Sequence, residues 1–266
     1  MSPQQLTPRQ RQRRATMQAI VQSARRRLND DDELTMRAVA SDVGLTGPGL
    51  YRYVNSMTEL RLLMVHDIIG QARDYLDRAG ERHDNSLAKI IAGAVAFRSW
   101  ALQYPAEFRL AFASPGLLNS YSSQEFADLA ERTAAERLNS PGLIGEYFNP
   151  LLNDRQAASS VRWQFDPAVV GAFEAQAASY STQLPHYAYL RQADSPAQVW
   201  AYLYLWARLY GVVAFEVFNY AEPETITTGL LFRNMMLEMV AMAGAQLDLK
   251  RINALIDTEI ALSGSN

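Results

Sequence analysis

Few side chains in this sequence could do covalent chemistry. The three histidines, His66, His83 and His186, are scattered, and cysteine is absent. Disulfides and thiolate metal sites are therefore excluded. No Gly-rich phosphate loop and no nucleophile elbow stands near the histidines, which leaves an enzyme only Asp, Glu and Tyr chemistry. Asp30, Asp31, Asp32 and Glu33 form an acidic run. It lacks the interleaved Gly and terminal Glu of a calcium loop and reads as a solvated turn. No catalytic residue, metal site or cofactor is expected. What remains is phosphate and base-edge chemistry, carried by hydroxyls, guanidinium groups and small residues between Thr35 and Tyr53.

The elements that position these groups are legible. Thr35 is a good N-cap, and Met36, Val39, Ala40 and Val43 follow at helical spacing. Gly44 ends that helix, Leu45 plugs the turn, and Thr46 caps a second helix with Pro48 in its first turn. Leu50, Tyr51 and Val54 are expected to face inward. Two short helices joined by a tight turn make a helix-turn-helix. Base reading then falls to Thr46, Arg52 and Tyr53, with Arg52 able to pair with guanine at two points. Thr35, Arg37, Tyr51 and Tyr53 are phosphate candidates. Gly47, Pro48 and Gly49 are small enough for the helix start to approach a phosphate closely.

Thr35 with Arg37-Ala38-Val39-Ala40, then Gly44-Leu45-Thr46, Leu50-Tyr51-Arg52-Tyr53-Val54 and Glu59-Leu60, resemble the DNA-binding domain of TetR-type bacterial repressors, over roughly residues 12 to 65. The resemblance implies that Tyr51 and Tyr53 carry most of the DNA contact. It also implies a double-stranded DNA operator, control by a small-molecule effector, and a helix after Ser56 joining the reading head to a sensor body. One position departs: the family carries a phosphate-binding lysine two residues before Glu59, and this chain has Met57. Met57 and the net acidity favour an alternative, a scaffold of similar fold that binds protein. A small-molecule enzyme without cofactor is the other.

The net charge of −3 argues against a nucleic-acid partner until its distribution is read. Residues 1–29 hold seven arginines and no acid, and residues 1–79 hold twelve arginines against nine acids. Residues 80–266 carry thirteen Lys and Arg against nineteen acids. A basic end on an acidic body suits a local phosphate footprint. Residues 1–12 are expected to be a disordered basic arm. Arg9, Arg11, Arg13 and Arg14 could follow phosphates or enter a minor groove. A first helix is expected from about Arg13 to Leu28. Arg25, Arg26 and Arg27 would complement the dipole at its end. No apolar run reaches membrane-spanning length and no secretory signal opens the chain, so a cytoplasmic protein is expected.

The expected fold is all-α: a three-helix helix-turn-helix domain over 13–60, then a helical ligand-sensing and dimerisation domain over 61–266. Helices are predicted from Ser56 to about Arg78, from Leu87 to Tyr104 with Ser86 as cap, over a short stretch after Pro105, and from Ser122 to Leu138. Residues 139–165 read as a loop-rich excursion, followed by a helix from Asp166 to about Tyr180. The segment from Pro196 to about Tyr220 and a last major helix from Thr225 to Gln246 are apolar nearly all round. The helices near 196–220 and 225–246 are therefore expected to pack against a second copy, making a homodimer. Tyr104-Pro105, Phe108-Arg109-Leu110, Phe112, Trp206 and Tyr210-Gly211 resemble the sensor domain called WHG in some TetR-type proteins, with Tyr210 where that motif has His. Phe97, Trp100, Phe108, Phe112, Trp163, Tyr204 and Tyr210 could line an apolar pocket for a hydrophobic or aromatic effector, with Arg98, Arg208 and Glu216 as polar anchors.

Overall fold

The computed structural model describes residues 7–114, 166, 168–169, 171–172, 196–242 and 248–263. All regular structure among them is helical: α1 Pro8–Asn29, α2 Met36–Asp42, α3 Gly47–Leu50, α4 Met57–Gly80, α5 Ser86–Gln103, α6 Pro105–Phe112, α7 Pro196–Val217, α8 Pro223–Thr228, α9 Leu230–Met242 and α10 Leu249–Ser263. The all-α expectation holds. The expected helix 122–138, the excursion 139–165 and Trp163 lie outside the described residues. The chain forms two compact units, one from the described residues of Met1–Gly70 and Tyr104–Asn139, the other from those of Gln71–Gln103 and Ser140–Asn266. The division falls within α4.

In the first unit, α1 starts earlier than the sequence suggests. Thr7 accepts a hydrogen bond from the Gln10 N–H at 3.3 Å, and the Gln10 side chain accepts from the Thr7 N–H at 2.8 Å. This capping box, with Pro8 in the first turn, satisfies the open donors of the helix start. Residues 8–12, expected as unstructured arm, are therefore helical. At the other end Asp31 takes φ 56° and the Asp32 N–H reaches the Arg27 carbonyl at 2.9 Å. The acidic run is thus the left-handed stop of α1, a conformation Asp tolerates better than most residues. Ile20, Val21 and Ala24 are buried on the inner face of α1, and α1 packs on α2 and α6.

Three further corrections concern element boundaries. Asn85, not Ser86, caps α5, because its side chain accepts from the Ala88 N–H at 2.7 Å while Ser86 is helical and buried. The helix expected over 225–246 is two helices: Gly229 at φ 65° ends α8 and α9 begins at Leu230. α10, absent from the expectation, packs on α5 with Ile252, Ile256 and Glu259 buried. In that second unit α7 also packs on α5 and α9. Phe97, Trp100, Val213, Phe232 and Met236 are withdrawn from water there. Each such large apolar side chain contributes ~1.5–3 kcal/mol. No helix among the described residues is long and apolar enough to cross a membrane.

Candidate nucleic-acid interface and sensor residues

The turn between α2 and α3 is built by complementary caps. Thr35 accepts from the Ala38 N–H at 3.3 Å to start α2. Gly44 at φ 69° ends it, with the Gly44 N–H on the Ser41 carbonyl and the Leu45 N–H on the Ala40 carbonyl. This paired pattern needs a residue in the left-handed region, which favours glycine. Thr46 then accepts from the Gly49 N–H at 3.2 Å. A Cβ at position 49 would stand 3.1 Å from the Thr46 hydroxyl oxygen, whereas Gly47 faces open space. Gly49 thus serves the cap as well as leaving the surface small.

α3 is a single turn. After Leu50 the backbone tightens, the Tyr53 N–H bonding the Leu50 carbonyl at 2.8 Å, and the 100° spacing of an α-helix no longer applies. Leu50 and Val54 are buried as expected, but Tyr51 is 53 % exposed, so its inward placement is corrected. Thr46, Pro48, Tyr51 and Arg52 are exposed and Gly47, Gly49 and Tyr53 half-buried, in one contiguous turn. Arg37 is exposed on α2, and Thr35 is half-buried at its cap. Each threonine hydroxyl accepts a backbone N–H and keeps its own proton for a further acceptor.

Two arginines of α1 do more than complement a dipole. Arg25 donates from Nε and Nη2 to Glu107 on α6 at 2.9 and 2.7 Å, and from Nη1 to Asp67 on α4 at 2.5 Å. Burial alone would lower the Arg25 pKa, but the hydrogen bonds Arg25 donates to Glu107 and Asp67 outweigh it and hold the guanidinium above its usual value. Arg27 grips Asp42 at 2.6 and 2.7 Å, and Ser23 donates to the same carboxylate at 2.7 Å. These bonds, led by that from Arg27, lower the Asp42 pKa to about 2. Arg13 was grouped with the arm by its sequence. It lies instead against the reading turn, donating to the Arg52 carbonyl at 3.3 Å, with its guanidinium 5.3 Å from the Tyr53 ring centre.

The expected effector residues divide between the units. Phe108 and Phe112 stack at 5.4 Å in the first. In the second, Phe97 meets Trp206 at 5.5 Å edge-on, and Trp206 meets Tyr210 at 5.6 Å. Arg98 is buried, donating to Glu216 at 2.7 Å and to the Ile226 carbonyl at 2.5 Å, over the Phe232 ring. A Cβ at Gly229 would come within 3.4 Å of that guanidinium. Burial pushes the Glu216 carboxyl up, against the opposing hydrogen bond of Arg98. It pushes the Tyr210 phenol up as well. Arg208 pairs with Glu238 and donates to the Tyr204 hydroxyl at 3.0 Å. Trp206 joins Phe97 to Tyr210, a link that the sequence pattern did not assign to the pocket. His83 and Arg82 converge on Glu259, which is 1 % exposed, with His83 Nε2 at 2.8 Å.

A capped two-helix corner set on a basic first helix places the chain among helix-turn-helix proteins. Residues 90–239 match the family described as tetracyclin repressor-like, C-terminal domain, which is more than half of the chain. The chain belongs to this family. It is 37 % identical over 103 residues to HTH-type transcriptional regulator Mb1846 of Mycobacterium bovis and, equally, to HTH-type transcriptional regulator Rv1816 of Mycobacterium tuberculosis. That match covers 36 % of this chain, and the chain spans 43 % of the length of these relatives. The crystal structure of SCO4313, a protein described as regulatory, aligns over 88 % of this chain and all of its own with a TM-score of 0.58 at 23 % identity, a likeness of fold.

Proposed function

We propose that the chain is a transcriptional repressor whose binding to an operator is controlled by a small hydrophobic or aromatic effector. The observation that carries the reading is the α2–α3 corner. Its hydroxyl caps, small residues and exposed Tyr51 and Arg52 stand together, with Arg13 of α1 against the turn. In this reading Thr35, Arg37, Gly47, Pro48, Gly49, Tyr51 and Tyr53 set register on phosphates, and Thr46, Arg52 and Tyr53 read bases. Residues 13–60 act as the reading head, and residues 61–266 sense the effector and dimerise.

Dimerisation is supported by the surface of the second unit. Ala207, Gly211 and Phe215 are exposed on α7 four residues apart, and Leu230 and Leu231 are exposed on α9. Small residues beside apolar ones allow close approach of a second copy, and α7 and α9 are the helices offered for it. A two-fold dimer would seat its reading heads about 34–36 Å apart on successive turns of the duplex. Phe97, Trp100, Trp206, Tyr204 and Tyr210, with Arg98 and Arg208, are proposed to meet the effector.

Two measurements test this. The purified chain should bind a duplex from upstream of its own gene with an affinity that falls steeply with salt, and it should sediment as a dimer. A chain that sediments as one subunit and ignores that duplex at low salt rules the reading out.

A further inference from the structure

We infer that Arg13 is a positioning residue for DNA reading: it holds the Arg52–Tyr53 peptide from α1 and so sets the direction in which those two side chains leave the turn. The inference deepens the proposed DNA reading and rests on it for its functional half.

α3 is one turn long, so the carbonyls beyond Leu50 have no continuing helix to accept from. The Gly47, Gly49 and Leu50 carbonyls are met by the N–H groups of Tyr51, Arg52, and Tyr53 with Val54. The Arg52 carbonyl is met from outside the segment, by Arg13 Nη1 at 3.3 Å. The same guanidinium lies 5.3 Å from the Tyr53 ring centre, a favourable seat for a cation over an aromatic face. Two contacts from one planar group, on consecutive residues, fix both the peptide plane and the ring. A guanidinium does this better than a phosphate-seeking tether would, because its fork has a set geometry. Arg13 can be fixed in this way because the Thr7–Gln10 box makes its segment helical.

A phosphate contact and a positioning contact differ in three readouts. Each phosphate contact removed makes the salt dependence of binding shallower by about 0.9. A positioning contact leaves that slope alone and lowers specific binding more than non-specific binding. It also protects backbone N–H groups with no DNA present. The test uses the full chain and Arg13→Met, a duplex from upstream of the gene, and a scrambled duplex of equal length. Arg13→Met should bind the upstream duplex about tenfold more weakly, the equivalent of one hydrogen bond, with scrambled binding and salt slope unchanged. Arg13→Lys, which keeps the charge but not the fork, should recover little of the loss, the melting temperature should stay put, and the Tyr53 and Val54 amides should exchange faster in Arg13→Met. Equal losses on both duplexes with a shallower slope, a lowered melting temperature, or unchanged affinity and exchange would overturn the inference. Should the unmodified chain bind neither duplex, the DNA reading fails, and amide exchange alone still decides whether Arg13 holds the turn.

Discussion

Arg25 and Glu107 form a two-point ion pair almost wholly withdrawn from water, with N–O distances of 2.9 and 2.7 Å and Glu107 1 % exposed. It ties α1 to α6, and Asn29 adds a third hydrogen bond to Glu107 at 2.9 Å. Desolvating two charges costs about as much as their attraction returns, but leaving one behind is expensive. Glu107→Leu leaves Arg25 paired with Asp67 alone and should therefore destabilise the protein by about 1.5–3 kcal/mol, the loss of hydrogen bonds between charged groups and not of a whole ion pair. The double variant Arg25→Met with Glu107→Leu should recover most of that loss. Denaturant unfolding of the three chains checks both statements, and equal losses in single and double variants would count against them.

Gly44 and Gly47 give unequal outcomes for the same change. Neither has an atom within 4 Å of a built Cβ, but Gly44 sits at φ 69°. Gly44→Ala should cost about 1–2 kcal/mol from backbone conformation alone. Gly47→Ala has no positive φ to relieve, but it stands directly before Pro48, whose ring disfavours a helical side-chain-bearing neighbour, so the change should move stability by less than about 0.5 kcal/mol. Thermal melts compare the pair directly.

Asp42 should confer acid sensitivity on the first unit. Its folded pKa of about 2 lies below the ordinary 3.8, so its contribution is fully present above about pH 4 and is lost as pH falls towards 2. In Asp42→Asn, stability at neutral pH should be lower and the acid slope flatter, the two curves converging near pH 2. Melting temperatures measured from pH 5 down to 2 supply the comparison.

Tyr51 and Arg52 are exposed, so Tyr51→Ala and Arg52→Ala should leave the melting temperature within experimental scatter. On the proposed reading Arg52→Ala should weaken binding to the upstream duplex by about 1–3 kcal/mol, and Tyr51→Ala should weaken binding to every duplex alike, as a phosphate contact does. The loss with Arg52→Ala should be confined to particular base positions. Titrations against duplexes with single base changes would reveal it, and a uniform loss would move Arg52 to the phosphates.

How much of this was legible depended on distance along the chain. The Thr35, Gly44 and Thr46 caps act over three to five residues, so spacing revealed the corner, the resemblance through Leu50–Val54 marked it as a reading head, and helical periodicity along the chain gave the fold class. Arg25 and Glu107 are far apart in sequence, and no local pattern pairs them; Arg25 therefore read as a dipole charge. Tyr51 was misplaced because helical periodicity was carried past Leu50, where the backbone tightens. The break at Gly229 and the Ile252–Ile256 spacing of α10 were present as signals. A strongly apolar stretch on one side and a short polar tail on the other obscured them. Arg98 was picked as an anchor by type, but its two partners come from α7 and α8, which spacing does not reveal.

The box formed by Thr7 and Gln10 turns a tether into a bracket. Seven residues from Pro8 to Arg14 would reach about 23 Å if extended, but as helix they rise only about 10 Å. Arg13 stays with the reading turn, and Arg9, Arg11 and Arg14 ride on the same rod, so the spacing of their backbone is settled during folding. An anion arriving there meets a backbone that is already ordered, and the entropy of ordering that backbone is not charged to the encounter.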